Sequence, residues 1–256
     1  FASHAHGFLG QDGVAPGEIV TRARDQLMAY STLTWIEGEV VGVDGDRDAF
    51  EVSIQDGQRY EGRRILLASG VADQLPEVEG LAERWGQAVF HCPYCHGYEL
   101  EEGPVGVIAT GPMSIHQAEL LTEWGPVTFL INGALELDGE ARQVMQSRQV
   151  TIEETPIERL QGHADVRLTD GRFLSFAGLF TASRTVPASP LVEALGCRLE
   201  ETPMGVQVRT DNSKQISIPG IFACGDLARS PHSIPLAAGD GAMAGAQVHR
   251  SLVWGD

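Results

Sequence analysis

The sequence has little basic charge, few cysteines and no long apolar run. Its 18 Lys and Arg stand against 35 Asp and Glu, for a net charge of −17, and the pI is near 4.8. A surface of that sign repels phosphate backbones and anionic headgroups, which argues against nucleic acid and against membrane surfaces as partners. No stretch approaches the ~20 apolar residues of a membrane-spanning helix, and no apolar leader opens the chain. Four cysteines in 256 residues do not make a secreted disulfide scaffold, so the expected compartment is the cytoplasm. Glycine is plentiful instead: 30 residues, many at turns or strand-to-helix junctions, a habit of α/β nucleotide-binding proteins. A hydrophobic content of 43% supports one large or two modest cores.

Two of the four cysteines lie in the run His91-Cys92-Pro93-Tyr94-Cys95-His96-Gly97-Tyr98-Glu99. Thiols two residues apart can close a disulfide over one turn of backbone. If that turn opens a helix, unpaired N–H groups and the dipole lower the first thiol's pKa. The flanking imidazoles offer proton transfer beside the exchanging sulfur. Three other chemistries compete for the motif. A c-type haem attachment also reads Cys-x-x-Cys-His, but it needs an oxidising compartment and a second axial ligand. Glutaredoxin carries Cys-Pro-Tyr-Cys after its first strand, not 91 residues into the chain. Zinc wants two further close ligands, whereas Cys197 and Cys224 stand alone, so no metal site is expected. A redox dithiol is the leading reading.

The chain repeats itself. Val52 to Ser69 aligns without a gap on Val166 to Ser183, at a constant offset of 114 residues. Each copy reads as a strand, an Asp-Gly turn, a second strand, and a third strand ending in Ala-Ser. In the second copy, Val105 to Ile108, the small-residue turn Ala109 to Ser114, a helix to about Trp124 and a strand from Pro126 to Ile131 form a βαβ unit. Such a turn sets a pyrophosphate against a helix N-terminus. The first copy has no counterpart within the chain, so a missing N-terminal segment is expected. The chain opens on a polar, Gly-rich loop, Ser3 to Gly13, and then a helix with Pro16 in its first turn and Ile19, Ala23 and Leu27 on one face. Near the other end, Ile218 to Asp226 reads as a turn, a short buried strand and Gly-Asp, followed by the small-residue helix from Ala237. A carboxylate just past a strand end can hold a sugar hydroxyl or polyol.

Taken together, the strand and turn Ile65 to Gly70, the Cys92/Cys95 dithiol, the turn Ala109 to Ser114 and the segment Gly220 to Asp226 resemble the low-molecular-weight thioredoxin reductases. These are FAD-containing pyridine-nucleotide disulfide oxidoreductases. The order matches over nearly the whole chain, and the dithiol run is similar to a thioredoxin reductase-like subgroup near the dithiol oxidases. The resemblance implies an α/β fold with two Rossmann-like nucleotide-binding domains, each with a three-stranded β-meander. A discontinuous FAD domain would take residues 1–90 and 210–256, and an inserted NAD(P)-type domain, 91–209, would carry the dithiol. It further implies that Asp226 binds the flavin ribityl chain with Gly225 beside it. His232, Ser233 and Ile234 would contact the flavin ring, and Val40, at the end of a strand from Trp35 to Val41, the adenine. Ser69 and Gly70 would belong to the same cofactor site. Cys95 would face the flavin, Cys92 the substrate, and His96 would replace the acid that the family usually has after the second cysteine.

Three departures accompany the resemblance. The Gly-rich FAD pyrophosphate turn is absent, about 40 residues by family comparison. The second turn is degenerate at Ala109 and Ser114, around Gly111. Where the family has basic residues for an NADPH 2′-phosphate, the chain has Asn132-Gly-Ala-Leu-Glu136, and nearby Glu136 and Asp138 repel such a group. Weak NAD(P)H binding is therefore expected. His4 and His6 read as incidental, the acidic run Glu99, Glu101, Glu102 as a solvated surface, and Cys197 and Cys224 as packed thiols. The expected function is flavin-dependent thiol–disulfide exchange with a thioredoxin-like protein or a small dithiol, in a homodimer. A dithiol oxidase using oxygen and a catalytically silent redox sensor are the alternatives.

Overall fold

The computed structural model describes residues 3–255. Helix α1 (Pro16–Met28) precedes an antiparallel meander, β1 (Val40–Asp46), β2 (Ala49–Ile54) and β3 (Arg59–Gly62), then β4 (Ile65–Leu67) and β5 (Val71–Gln74). Strands and helices next alternate: β6 (Val89–Phe90), α2 (Pro93–His96), β7 (Val105–Ile108), α3 (Met113–Leu121), β8 (Val127–Leu130), α4 (Gly139–Ser147) and β9 (Thr151–Glu153). A second meander, β10 (Ile157–Gln161), β11 (Asp165–Leu168) and β12 (Phe173–Ser175), leads into β13 (Gly178–Thr181). The remainder is β14 (Arg184–Pro187), α5 (Leu191–Ala194), β15 (Leu199–Thr202), β16 (Gly205–Val208), β17 (Ile221–Ala223) and α6 (Ile234–Trp254).

Two compact units divide the chain, Phe1–Arg24 with Leu75–Ser183 and Asp25–Gln74 with Arg184–Asp256. The sequence placed its domain junctions near 90 and 209, and it grouped the opening loop with the other unit. The first unit holds a parallel five-stranded sheet, ordered β6-β13-β7-β8-β9. Strands β7 and β13 are buried along their whole length, as parallel strands covered on both faces are. The period of two assigns Val105 and Val107 to one core, with Phe129, Leu121 and Met145, and Ile108 to another, with Leu130, Val166 and Leu179. Gly106 lies between them, where a Cβ would stand 2.5 Å from Leu179 Cδ2.

The second unit is built on the first meander, a four-stranded sheet β15-β16-β14-β5 and the parallel pair β17-β4. Phe50, Leu67, Val208, Ile221 and Leu227 form its core. The repeat seen in sequence is carried into register. Val52 faces Tyr60 and Ser53 faces Arg59 in one meander, while Val166 faces Leu174 and Arg167 faces Phe173 in the other. Each pair is its counterpart displaced by the same offset.

Two expected elements differ. No strand begins at Trp35: β1 starts at Val40, after Gly38 at φ +156° and an indole–Glu37 hydrogen bond of 2.9 Å break the extended run. Helix α3 stops at Leu121, where the chain tightens into turns before Gly125 at φ +158°. The expected first helix is present as α1, and none of its residues is buried. Among the described residues no helix is long and apolar enough to cross a membrane.

Candidate active site

Buried β6 delivers Cys92 in an extended conformation (φ −108°, ψ 118°), and Pro93, whose missing N–H costs nothing there, opens α2. Cys92 and Cys95 are free, half-buried thiols. A hydrogen bond from the Cys95 thiol, helped by the Cys95 and Tyr94 backbone N–H groups, pulls Cys92 down to about 6 against the opposing effect of burial. Cys95 is pushed far above the usual thiol range, because its proton is held by Cys92 and because burial, the Cys92 charge and Glu99 all oppose its ionisation. The reduced pair is thus a thiolate at Cys92 holding the Cys95 proton. With only four residues, α2 is too short to supply the macrodipole that the sequence suggested. The thiol–thiolate hydrogen bond takes its place.

The surroundings fix this turn tightly. Gly97 has no room for a side chain, since a Cβ would stand 2.4 Å from Trp124. Tyr94, exposed between the cysteines, meets Trp124 edge-on at 5.4 Å. The His91 carbonyl accepts from Gln117 at 2.7 Å, and the His91 ring lies 3.4 Å from Ser183 Oγ. His96 stacks on Phe90 at 4.3 Å. Burial lowers its pKa below the ordinary imidazole value, with Glu99 opposing and His6 adding to the drop, so the ring is neutral at neutral pH. Glu99 is not simply solvated, and His6 is not incidental: His6 Nε2 lies 2.6 Å from Glu99 Oε1.

The turn after β7 is closed from within. Ala109 and Ser114 are buried, and the Ser114 hydroxyl accepts from the Thr110 N–H at 2.9 Å. Gly111, at φ +159°, leaves open space around its Cα. After β8, Asn132 Oδ1 accepts from the Ile157 N–H at 2.8 Å, and Asp138 caps α4 through the Ala141 N–H at 2.8 Å.

In the other unit, β4 and β17 pair in parallel from Ile65 and Ile221 to Leu67 and Ala223. Their carboxyl ends therefore release Ser69–Gly70 and Gly225–Asp226 at one edge of the sheet, where ligands of α/β proteins bind. Gly225 turns at φ +68°, and its N–H donates to Asp240 Oδ2 at 2.9 Å. The same oxygen lies 2.9 Å from Nζ of Lys214, the chain's only lysine, with both side chains 10% exposed. Asp226 receives the Ser233 N–H, yet burial raises its pKa against the pull of His232 and Arg229. Its Oδ1 is buried with no hydrogen-bond partner among the described residues. Ser233 caps α6 through the Leu236 N–H, and Ile234 follows, exposed. Val40 starts β1 and packs against this unit's core.

The family model for pyridine nucleotide-disulphide oxidoreductases matches residues 8–241. The chain belongs to that family. A thioredoxin reductase of Claviceps purpurea is 32% identical over 98% of this chain and 82% of its own length. One of Aspergillus oryzae is 28% identical over 98% and 84%. The solved structure of an oxidoreductase from Agrobacterium tumefaciens is 52% identical, with a TM-score of 0.95 over all of this chain and 86% of its own. This oxidoreductase is thioredoxin reductase-like and has the mixed α/β fold of such enzymes, with parallel sheets of the Rossmann kind.

Members of this family normally bind FAD, and the residues present fit the group. Asp226 Oδ1, buried and unpartnered at a carboxyl edge, is an acceptor suited to a polyol hydroxyl. Cys92, Cys95, His96, Ala109, Gly111 and Ser114 belong to one unit of the oxidoreductase, and Val40, Ser69, Gly70, Gly225, Asp226, His232, Ser233 and Ile234 to the other. Sequence reasoning missed Gln117, Trp124, Lys214 and Asp240. The last had a signal, a lone carboxylate between two glycines in a helix of small residues. Lys214 had another, as the sole lysine.

Proposed function

We propose that this oxidoreductase performs flavin-dependent thiol–disulfide exchange through Cys92 and Cys95. The observation that supports it most is the polarised pair, an acidic Cys92 holding the proton of a strongly basic Cys95. Bound FAD would accept or supply the two electrons. Asp226 would take a ribityl hydroxyl, with Val40, Ser69, Gly70, Gly225, His232, Ser233 and Ile234 completing that site.

The Cys92 thiolate attacks one sulfur of a substrate disulfide and releases the other as a thiolate, leaving a mixed disulfide. Neutral His96 takes the Cys95 proton, and Cys95 then attacks Cys92 Sγ. The second substrate thiol leaves with the proton that His96 returns. The substrate has gained two electrons and the pair has become a disulfide. Run backwards, the same steps oxidise a dithiol.

A small dithiol as electron source is favoured over NADPH by the segment after β8. Residues 131–138 contain no basic side chain, Asn132 is engaged by Ile157, and the Thr110 N–H is engaged by Ser114. A thioredoxin-like protein is the other partner of matching chemistry. A homodimer in the cytoplasm accords with the family.

The test is rapid-mixing reduction of the flavin-loaded protein by dithiothreitol, NADPH and NADH. Dithiothreitol should bleach the flavin much faster than either nucleotide, and Cys95→Ser should abolish the thiol-dependent phase. Bleaching that survives Cys95→Ser overturns the dithiol route. Equally fast bleaching by NADPH overturns the choice of donor.

A further inference from the structure

The turn that carries Asp226 is held by the helix that follows it. Gly225 opens a short 3-10 turn, Gly225–Ala228, directly after β17. The first N–H groups of such a turn find no partner within it. Asp240 of α6 takes the Gly225 N–H on Oδ2 at 2.9 Å, and the same oxygen takes Lys214 Nζ at 2.9 Å. Lys214 is anchored along its backbone as well. Its carbonyl accepts the Ala223 N–H of β17 at 3.0 Å, and its own N–H donates to the Asp211 carbonyl at 3.0 Å. It adopts φ +64°, a conformation uncommon outside glycine, and is buried. Strand, turn and helix thus meet at one carboxylate oxygen.

We propose that Asp240 is a positioning residue for the flavin: by holding the Gly225 N–H it fixes the turn that presents the Asp226 carboxylate, with Lys214 as its counter-charge. The idea rests on the FAD site proposed above and adds to it a residue that acts through the turn.

Asp226 Oδ1 is buried and has no hydrogen-bond partner among the described residues. The Ser233 N–H engages the carboxylate but not that oxygen. What keeps Oδ1 in place for a ligand hydroxyl is therefore chiefly the backbone that carries it. On one side the Cys224 N–H donates to the Leu67 carbonyl at 3.0 Å, and on the other Gly225 is tied to Asp240. Gly225 is the loose link, because a glycine at φ +68° has more conformations open to it than any other residue. A charged acceptor makes the stronger kind of hydrogen bond and holds that link. Without it, the turn must be ordered when FAD binds, and the ordering is subtracted from affinity.

The test is fluorescence titration with FAD of two double variants, with urea unfolding of the same samples before FAD is added. Lys214→Met with Asp240→Leu removes the ion pair and the acceptor. Lys214→Met with Asp240→Asn removes the same charges and keeps an amide oxygen for the Gly225 N–H. The leucine variant should bind FAD about 5- to 10-fold more weakly than the asparagine variant, the size of one hydrogen bond. The asparagine should restore the affinity. A merely structural pair would move affinity only in step with stability, so equal affinities, or a difference that follows the unfolding midpoints, overturn the proposal. Should the leucine variant fail to fold, Lys214→Met with Asp240→Ala carries the same expectation. Asp226→Ala in the same series separates the two ideas. FAD binding unmoved by Asp226→Ala overturns the site itself, while weaker binding there with both double variants alike overturns only the role of Asp240.

Discussion

The dithiol turn and the Gly225–Asp226 turn are built alike and behave differently. Each follows a short buried strand of a parallel sheet, β6 in one unit and β17 in the other. Each shelters ionisable groups at the strand's carboxyl end. At the dithiol the two sulfurs are each other's main perturbation, one lowered and one raised by a single shared hydrogen bond. At the second turn Asp240 and Lys214 satisfy one another, but Asp226 keeps a buried oxygen without a protein donor. In the proposed function, reactivity would come from groups that polarise one another within the chain. Binding would come from a polar atom that the chain itself does not satisfy, because such an atom repays its desolvation only when a ligand supplies the donor.

The sharpest way to break that contrast is a crossed pair of variants. Cys92→Ser should reduce thiol exchange to background and leave FAD affinity unchanged. Asp226→Ala should weaken FAD by about 10- to 100-fold, the cost of a lost hydrogen bond to a charged group, and leave Cys92 alkylation unchanged. Flavin fluorescence titration and iodoacetamide kinetics on both proteins decide it, and any crossover of effects ends the separation of roles.

A pH profile comes next in size. Because the Cys92 pKa is lowered, its thiolate is present above about 6 and lost below it. Alkylation should therefore rise through pH 6 and level off well before the ordinary thiol value of 9.0. Cys95→Ala removes the leading cause and should carry the midpoint back to that ordinary value or past it. A midpoint still near 6 in Cys95→Ala would mean that the backbone, not the partner sulfur, makes Cys92 acidic.

An effect on stability alone is expected at Lys214. Lys214→Met strands the Asp240 carboxylate and should cost about 3 kcal/mol of stability, whereas Lys214→Met with Asp240→Leu should recover most of it, as buried ion pairs replaced whole usually do. Urea unfolding measures both, and a double variant as unstable as the single one would show the pair to be more than self-compensating.

What was legible in the sequence was short in range or repeated. The dithiol spacing, the Gly-Asp after a strand, and the Asp-Gly hairpins of the two meanders all depend on neighbours a few residues away. The gapless alignment even anticipated that Val52–Tyr60 and Val166–Leu174 would be equivalent cross-strand pairs. The partners of His6 and Lys214 were not legible, because tertiary packing alone joins a loop near the start to Glu99, and a turn ahead of β17 to the middle of α6. The start of β1 was misread because Trp35 and Ile36 favour strands by type, yet Gly38 and the Trp35–Glu37 bond take the backbone out of line. Helix α1 was legible from its opening proline and from the period of Ile19, Ala23 and Leu27, although periodicity describes a helix and not what covers it.

Lys214 carries the only ε-amine in the sequence, and it is sealed in its ion pair. Every other fixed side-chain cation is a guanidinium, which acylating reagents pass over. Within the native fold the side chains therefore offer such reagents almost no amine to modify, and a lysine-directed protease meets a single cleavage point that it cannot reach. Acylation at that position requires the region around β17 and α6 to open, so its rate is a clock for that opening, read without any engineered label.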